Sequence, residues 1–193
     1  MKYTLKFRIW HWLNAIVILG LLGTVFLRKT FLSYKTNAEI IMAKLADMGT
    51  EIELEDAKSI ARSIRNVMWE WHLWLGYALA FLLLYRIVLF FIDESNKADF
   101  SSLSLHKKGV KISYYVIYAT ILFMTISGFA IYLQRALGLS EDMVRFIKEA
   151  HEAIYYVILI FVPLHIAGVI VADVKEEHGL VSTMINGKTK ENF

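Results

Sequence analysis

Four of the six histidines in this 193-residue chain lie in or at the ends of long apolar segments. His11 comes early in the first segment, His72 stands at the entry to the second, and His151 and His165 belong to the fourth. An imidazole can bind a metal, relay a proton or form hydrogen bonds. Because an ionisable group inside a lipid bilayer is costly, four histidines in such segments indicate a function in which each has a partner.

The segments that carry these histidines are long enough to cross a membrane. A bilayer core of about 30 Å needs about 20 apolar residues in a helix, and inside lipid such a segment must be helical to satisfy its own backbone. The chain, 57% hydrophobic, therefore predicts an all-α transmembrane four-helix bundle, one membrane domain over residues 1–193. The predicted spans are 9–27, 73–92, 112–133 and 153–172.

An even number of spans places both termini on the same side of the membrane. The short second loop contains the basic cluster HKKGVK at 106–111, beside a span, which favours termini in the cytoplasm. The long first loop, 28–68, is predicted to form an extramembrane helical cap, with Asn37 capping its first helix and Gly49 ending it. This cap would lie on the membrane or against a partner, or be a solvated hairpin without a role.

Composition excludes several classes of function. The chain has no cysteine, so it has no disulfide framework, no thiolate-bound iron–sulfur cluster and no covalently attached haem. Its net charge of +3 is small and lies between the apolar runs, which argues against a nucleic-acid partner. The two remaining histidines, His106 and His178, lie in charged sequence and are predicted to be solvated.

Helix geometry pairs the four membrane histidines by depth. At about 100° per residue, the fourteen residues from His151 to His165 complete nearly whole turns, so both rings face one direction about 21 Å apart. In an antiparallel bundle the early His11 shares its depth with His165, and the early His72 shares its depth with His151. Reversing the orientation of the chain in the membrane preserves both pairs. We call His11 with His165 the inner pair and His72 with His151 the outer pair.

Two stacked imidazole pairs in a dry core fit two molecules of non-covalent haem b. Haem b is flat and apolar, and its iron accepts an imidazole on each side. Zinc or copper would more often show a third or fourth ligand, whereas Glu70 and Glu152 point to different faces from the histidines beside them. Haem propionates need cations near the interface, and the candidates are Arg8 and Arg86 on the inner side, Arg135 and Lys148 on the outer side.

The motifs around these histidines resemble a known family. FRIWHW at the first span, WEWHLWLGY at the second, no histidine in the third and H-x13-H in the fourth are similar to bacterial di-haem membrane cytochromes b. That superfamily includes the b-type cytochrome subunits of nickel–iron hydrogenases and of formate dehydrogenases. The resemblance covers roughly 5–175 and implies that the four histidines are axial iron ligands in a multi-pass protein of the bacterial inner membrane. The first loop, 28–68, is longer than expected for a compact member of that family.

The resemblance implies electron transfer across the membrane rather than a catalytic residue in this chain. We expect an electron-transfer subunit of an oxidoreductase complex, coupling the quinone pool to a periplasmic redox protein or to hydrogenase or dehydrogenase subunits. Lipid and a second copy of the chain are further partners to consider. One alternative is a superoxide-to-quinone oxidoreductase, in which Arg135, Arg145 and Lys148 attract the anion. Another is a histidine-based metal or proton transporter, which inverted repeats or broken helices would favour; only Pro163 interrupts a span.

Overall fold

The computed structural model describes residues 3–92, 105–175 and 178–187. Every regular element in this part of the chain is an α-helix. Four of the helices are long and apolar enough to cross a bilayer, which confirms the predicted all-α, four-span architecture. The helices are α1 (Leu5–Lys29), α2 (Tyr34–Asp47), α3 (Leu54–Ile92), α4 (Leu105–Tyr132), α5 (Glu141–Lys175) and α6 (Leu180–Asn186).

The helix that contains the second span is much longer than the span itself. α3 has 39 residues, which is about 58 Å at 1.5 Å per residue, nearly twice the thickness of a bilayer core. It begins at Leu54 with Glu55 and Asp56 in its first turn, where acidic side chains stabilise the helix dipole. No proline or glycine follows until Gly76, so nothing ends the helix before it becomes apolar.

Contacts divide the chain into two compact units, Met1–Trp12 with Leu82–Phe193, and Leu13–Phe81. Within the second unit, α2 packs on the first turns of α3 through alanines at which no surface is exposed: Ala38, Ala57 and Ala61, all 0%. Side chains this small let helices approach closely. The loop predicted between the first two spans is therefore helical, and α2 with the start of α3 forms a packed hairpin.

The start of α2 differs from the sequence-based prediction. The helix begins at Tyr34 with Ser33 as its N-cap residue, so Asn37 lies inside the first turns and does not cap them. The Asn37 side chain instead donates a hydrogen bond to the Phe31 carbonyl oxygen over 3.0 Å, which stabilises the turn that enters the helix. The end is as predicted, because Gly49 has a φ of +77° and follows the last helical turn.

Within the first unit, α6 brings the two ends of the described chain together. Nη2 of Arg8 on α1 donates to the Ile185 carbonyl over 2.7 Å, and Trp12 Nε1 donates to the Met184 carbonyl over 3.2 Å. The last carbonyls of a helix lack partners within it, so these side chains satisfy the end of α6. The N-terminal and C-terminal segments therefore lie at the same end, as an even number of spans requires. α5 continues through Pro163 without a break.

The alanine contact between α2 and α3 predicts a sharp response to added volume. Ala61→Leu should separate the two helices and destabilise the hairpin by about 1–3 kcal/mol, since a buried site without space cannot accept three more carbons without strain. Limited trypsin digestion of the purified protein should then cut α2 faster at Lys35 and Lys44. Ala43→Leu, at an exposed position of α2, is the matched control and should leave the digestion rate unchanged. Equal rates for the two variants would contradict the packing.

Candidate functional site

Two of the predicted histidines lie close together in the first unit. The ring centroids of His11 on α1 and His165 on α5 are 6.2 Å apart, with an angle of 56° between the ring planes. Both side chains are half-buried. The antiparallel depth argument therefore predicted this proximity correctly, since residues 154 positions apart in the chain come together only through the packing of the two helices.

Aromatic side chains hold both rings of this pair. Phe161, one turn before His165 on α5, stacks on it with centroids 5.5 Å apart and planes 13° apart. Phe7, one turn before His11 on α1, lies at 6.5 Å and 28°. Side chains four residues apart on a helix are neighbours, so each helix supplies its own histidine and its own support. Each ring is therefore held by a phenylalanine of its own helix.

Arg86 on α3 lies in an aromatic cage beside this pair. Its guanidinium carbon is 5.2 Å from the ring centroid of Phe7, 5.3 Å from that of Trp10 and 5.6 Å from that of Tyr118. Nε of Arg86 also donates to the Tyr118 hydroxyl oxygen over 3.2 Å, and Trp10 Nε1 donates to the Leu82 carbonyl over 2.8 Å. Ring faces attract cations, so the cage stabilises a positive charge within a membrane-spanning helix. Neither Tyr118 nor the cage was identified from the sequence.

The other predicted inner cation, Arg8, contacts the end of α6. Besides the bond from Nη2 to Ile185, its Nε donates to the Met184 carbonyl over 3.3 Å. A guanidinium has five N–H donors, so two bonds to α6 leave donors for a further acceptor.

His151 is held by α4 in the first unit. Its Nδ1 lies 2.8 Å from the Ser127 hydroxyl oxygen, and a Cβ atom built on Gly128 would stand 3.5 Å from its Cε1. The α4 backbone therefore passes directly beside the ring, and Gly128, which has no side chain, lies at this point of approach. Ser127 is buried, at 4% exposed.

His72 is held in a similar way within the second unit. Its Nδ1 lies 2.7 Å from the Thr24 hydroxyl oxygen, and its ring meets the Trp69 ring edge-on at 5.3 Å and 87°. Thr24 is 6% exposed. Sequence reasoning missed both hydroxyl partners. The signal that could have found them is a serine or threonine within an otherwise apolar span, near the depth of a histidine on another helix.

The two predicted outer cations, Arg135 and Lys148, both lie at surface cavities around the connection between α4 and α5. Arg135 lines an open cavity formed by that connection. Lys148 lines a second cavity of about 400 Å³, and the side chains around it are Gln134, Glu141, Val144, Arg145, Lys148, Glu149 and Glu152. Three carboxylates and two cations line this second cavity, so it has no excess of positive charge.

The remaining histidines take no part in these arrangements. His178 is exposed, as predicted, and its Nδ1 lies 3.0 Å from the Asp173 carbonyl oxygen. The His106 side chain lies outside the described residues. Among the residues that the structure describes, no three His, Cys, Asp or Glu side chains form a group that could hold a metal ion. A metal bound between His11 and His165 would therefore need further ligands from outside the described residues, such as the four nitrogens of a porphyrin.

The comparisons with known proteins agree with this arrangement. A family model described as prokaryotic cytochrome b561 matches residues 2–187, which include all four spans and all four membrane histidines. No curated protein and no solved structure matches the chain significantly. The family match, the four apolar helices and the proximity of His11 to His165 lead to one conclusion: this chain belongs to the prokaryotic cytochrome b561 family of multi-pass membrane proteins, to which electron transfer through b-type haem is attributed.

Proposed function

We propose that the protein carries electrons across the bacterial inner membrane through two bis-histidine b haems in a single membrane domain. His11 and His165 would ligate the inner haem, and His72 and His151 the outer haem. The electrons would pass between the quinone pool and a partner oxidoreductase, of which this chain is the membrane subunit. No residue of the chain is assigned a catalytic role, because the redox change occurs at iron.

The observation that carries this proposal is the separation of the inner pair. Two metal–imidazole bonds of about 2 Å each, plus about 1.1 Å from each ring centre to its nitrogen, put two rings on one metal about 6 Å apart. The centroids of His11 and His165 are 6.2 Å apart. This agreement, together with the position of the two histidines on different membrane-spanning helices, supports a single metal atom held between α1 and α5.

The protein's own residues provide ligands, orientation and a dry environment. When bound, haem supplies reversible one-electron chemistry between ferric and ferrous iron. Phe161 and Phe7 restrict the rotation of the two inner imidazoles by stacking on them. The surrounding apolar helices exclude water, which disfavours the more highly charged state of the centre and protects it from side reactions.

The assignment of the outer pair rests on the sequence. His72 and His151 share a depth if α3 and α5 run in the same direction and each begins at the outer face. His151 and His165 lie on one face of α5 about 21 Å apart, so a metal bound at each would form a two-step path along that helix. This arrangement would carry charge from one face of the membrane to the other.

The caged guanidinium of Arg86 is the best-supported candidate for a propionate partner. It is a cation within a spanning helix, one turn of α1 away from His11 through Phe7, and its cage consists of neutral rings. An anion placed beside it would gain a charge-assisted hydrogen bond in a medium of low dielectric constant. Arg8 would bind the other inner propionate with the donors that α6 leaves available. On the outer side, Arg135 and Lys148 remain the proposed partners of the haem propionates.

The proposal of an external partner protein rests on the family resemblance and not on a binding surface. The family resemblance favours a periplasmic hydrogenase or dehydrogenase subunit, and the α2–α3 hairpin is the part of the chain that exceeds a compact member. A quinone would accept or donate electrons at one haem near an interface. We place the hairpin on the periplasmic side because the basic cluster at 106–111 favours cytoplasmic termini.

Two other functions receive less support. Oxidation of superoxide at the outer haem would benefit from a positive cavity, but the cavity at Lys148 is lined by three glutamates against two cations. A metal or proton transporter would be favoured by broken helices, and α5 continues through Pro163, the only proline in the chain. Both observations favour the electron-transfer proposal.

The first test is the visible spectrum and the haem content of the purified protein. We expect the reduced bands of six-coordinate haem b and about two haems per chain in a pyridine assay. His11→Ala and His165→Ala should each remove the same single haem, and His72→Ala and His151→Ala should each remove the other. The two haems can be told apart by their midpoint potentials.

The matched control for this series is His178→Ala, which changes an exposed histidine outside the spans and should retain both haems. A colourless preparation would reject the cytochrome assignment. Loss of different haems from His11→Ala and His165→Ala, in variants that remain monodisperse in detergent, would reject the inner pair.

A second test concerns Arg86. Arg86→Leu removes a positive charge from the surroundings of the inner haem and should lower its midpoint potential, because a nearby cation stabilises the reduced centre, which carries one more electron. The outer potential should change much less. Redox titration of the absorbance bands measures both. Arg145→Leu, at an exposed arginine paired with Asp142, is the matched control and should leave the inner potential unchanged. An unchanged inner potential in Arg86→Leu would reject the propionate assignment.

A further inference from the structure

Two of the four histidines share a hydrogen-bonding arrangement that reaches the helix backbone. In the first unit, the Ser127 hydroxyl lies 2.8 Å from His151 Nδ1 and 2.7 Å from the Phe123 carbonyl oxygen of its own helix. In the second unit, the Thr24 hydroxyl lies 2.7 Å from His72 Nδ1 and 2.6 Å from the Leu21 carbonyl oxygen. Each hydroxyl therefore connects an imidazole to a carbonyl one turn earlier on its own helix.

The direction of these hydrogen bonds follows from counting protons. A hydroxyl has one proton, and a carbonyl oxygen can only accept. Two oxygens 2.6–2.7 Å apart without a proton between them would repel, so the hydroxyl proton must point to the carbonyl. The hydroxyl oxygen is then free only to accept, and the donor must be Nδ1–H of the histidine. Both imidazoles therefore carry their proton on Nδ1, so Nε2 is unprotonated in each.

The inner histidines are supported differently. His11 and His165 stack on Phe7 and Phe161, and neither ring has a hydrogen bond to a protein side chain within the described residues. A donor bond from Nδ1–H to an acceptor makes the imidazole a stronger electron donor through Nε2, because the proton is partly shared with the acceptor. The outer imidazoles would therefore donate electrons to a bound metal more strongly than the inner imidazoles.

We propose that Ser127 and Thr24 are positioning residues that fix His151 and His72 in the tautomer with an unprotonated Nε2, which iron ligation requires, and that they lower the potential of the outer haem relative to the inner one. This inference rests on the proposed function, since it assumes iron at Nε2. An electron entering at the outer haem would then move downhill to the inner haem. The external partner would then be an electron donor that binds on the side of His72 and His151. The electron acceptor would bind on the side of His11 and His165.

The test removes each hydroxyl and measures potentials and ligand spectra instead of turnover. Ser127→Ala and Thr24→Val should each raise the midpoint potential of the haem that His151→Ala removes. We expect its reduction equilibrium to shift by about two- to tenfold, at most ~59 mV for one electron. The ferric electron paramagnetic resonance signal of that haem should change with it, because its imidazole donates less strongly. The other haem should keep both values.

Matched controls distinguish this role from a general effect of removing a hydroxyl. Thr125 on α4 bonds the Ile121 carbonyl over 2.9 Å, and Thr30 after α1 bonds the Phe26 carbonyl over 2.8 Å, with no histidine contact described for either. Thr125→Val and Thr30→Val should leave both potentials unchanged. Ser127→Thr and Thr24→Ser keep the hydroxyl and should restore the wild-type potential.

The outcomes separate this inference from the proposed function. If wild type lacks two bis-histidine haems, the proposed function fails. If wild type has them but Ser127→Ala and Thr24→Val leave the outer potential unchanged, or shift the inner one equally, the inference is wrong and the proposed function stands. Should one variant fold without haem, Ser127→Cys, which retains a weaker acceptor, should give an intermediate upward shift, and its absence would count against the inference.

Discussion

The proposed function depends on the separation of two imidazoles, one on helix α1 and one on helix α5. The ring centroids of His11 and His165 are 6.2 Å apart. The features around them are the phenylalanines that stack on the rings, the caged Arg86, and α6, which joins the beginning of α1 to the segment after α5. Because the length of a metal–imidazole bond varies by only a few tenths of an ångström, the packing of these helices would be the main constraint on the proposed metal site.

Regular helix geometry extends this one constraint along the membrane. α5 presents His151 and His165 on the same face, since fourteen residues turn through almost whole turns. The fourteen-residue spacing of the two histidines on α5 would therefore be enough to hold the two proposed redox centres in series. Pro163 lies between these histidines and removes one backbone donor, yet α5 is continuous there, as is common where neighbouring helices support a spanning segment.

The two ends of this path have different chemical surroundings. Stacked aromatic rings and a caged cation surround the inner pair, whereas a hydroxyl bonded to a backbone carbonyl supports each outer imidazole. A nearby cation favours reduced iron, and a hydrogen-bonded imidazole favours oxidised iron. With the proposed haems bound, both differences would act in the same sense and would favour electron movement from the outer haem to the inner one without any change in the ligands themselves.

The sequence by itself determined the four spans, the helical loop and the four histidines, because hydrophobic length and the 3.6-residue period are properties of a single segment. It also predicted the His11–His165 pair, because antiparallel spans convert sequence position into depth. Only the tertiary structure decided what surrounds each ring. The bonds of Ser127 and Thr24, the cage around Arg86 and the start of α2 at Tyr34 depend on which residues of distant segments or of a turn meet in space, and periodicity within one segment carries no information about that.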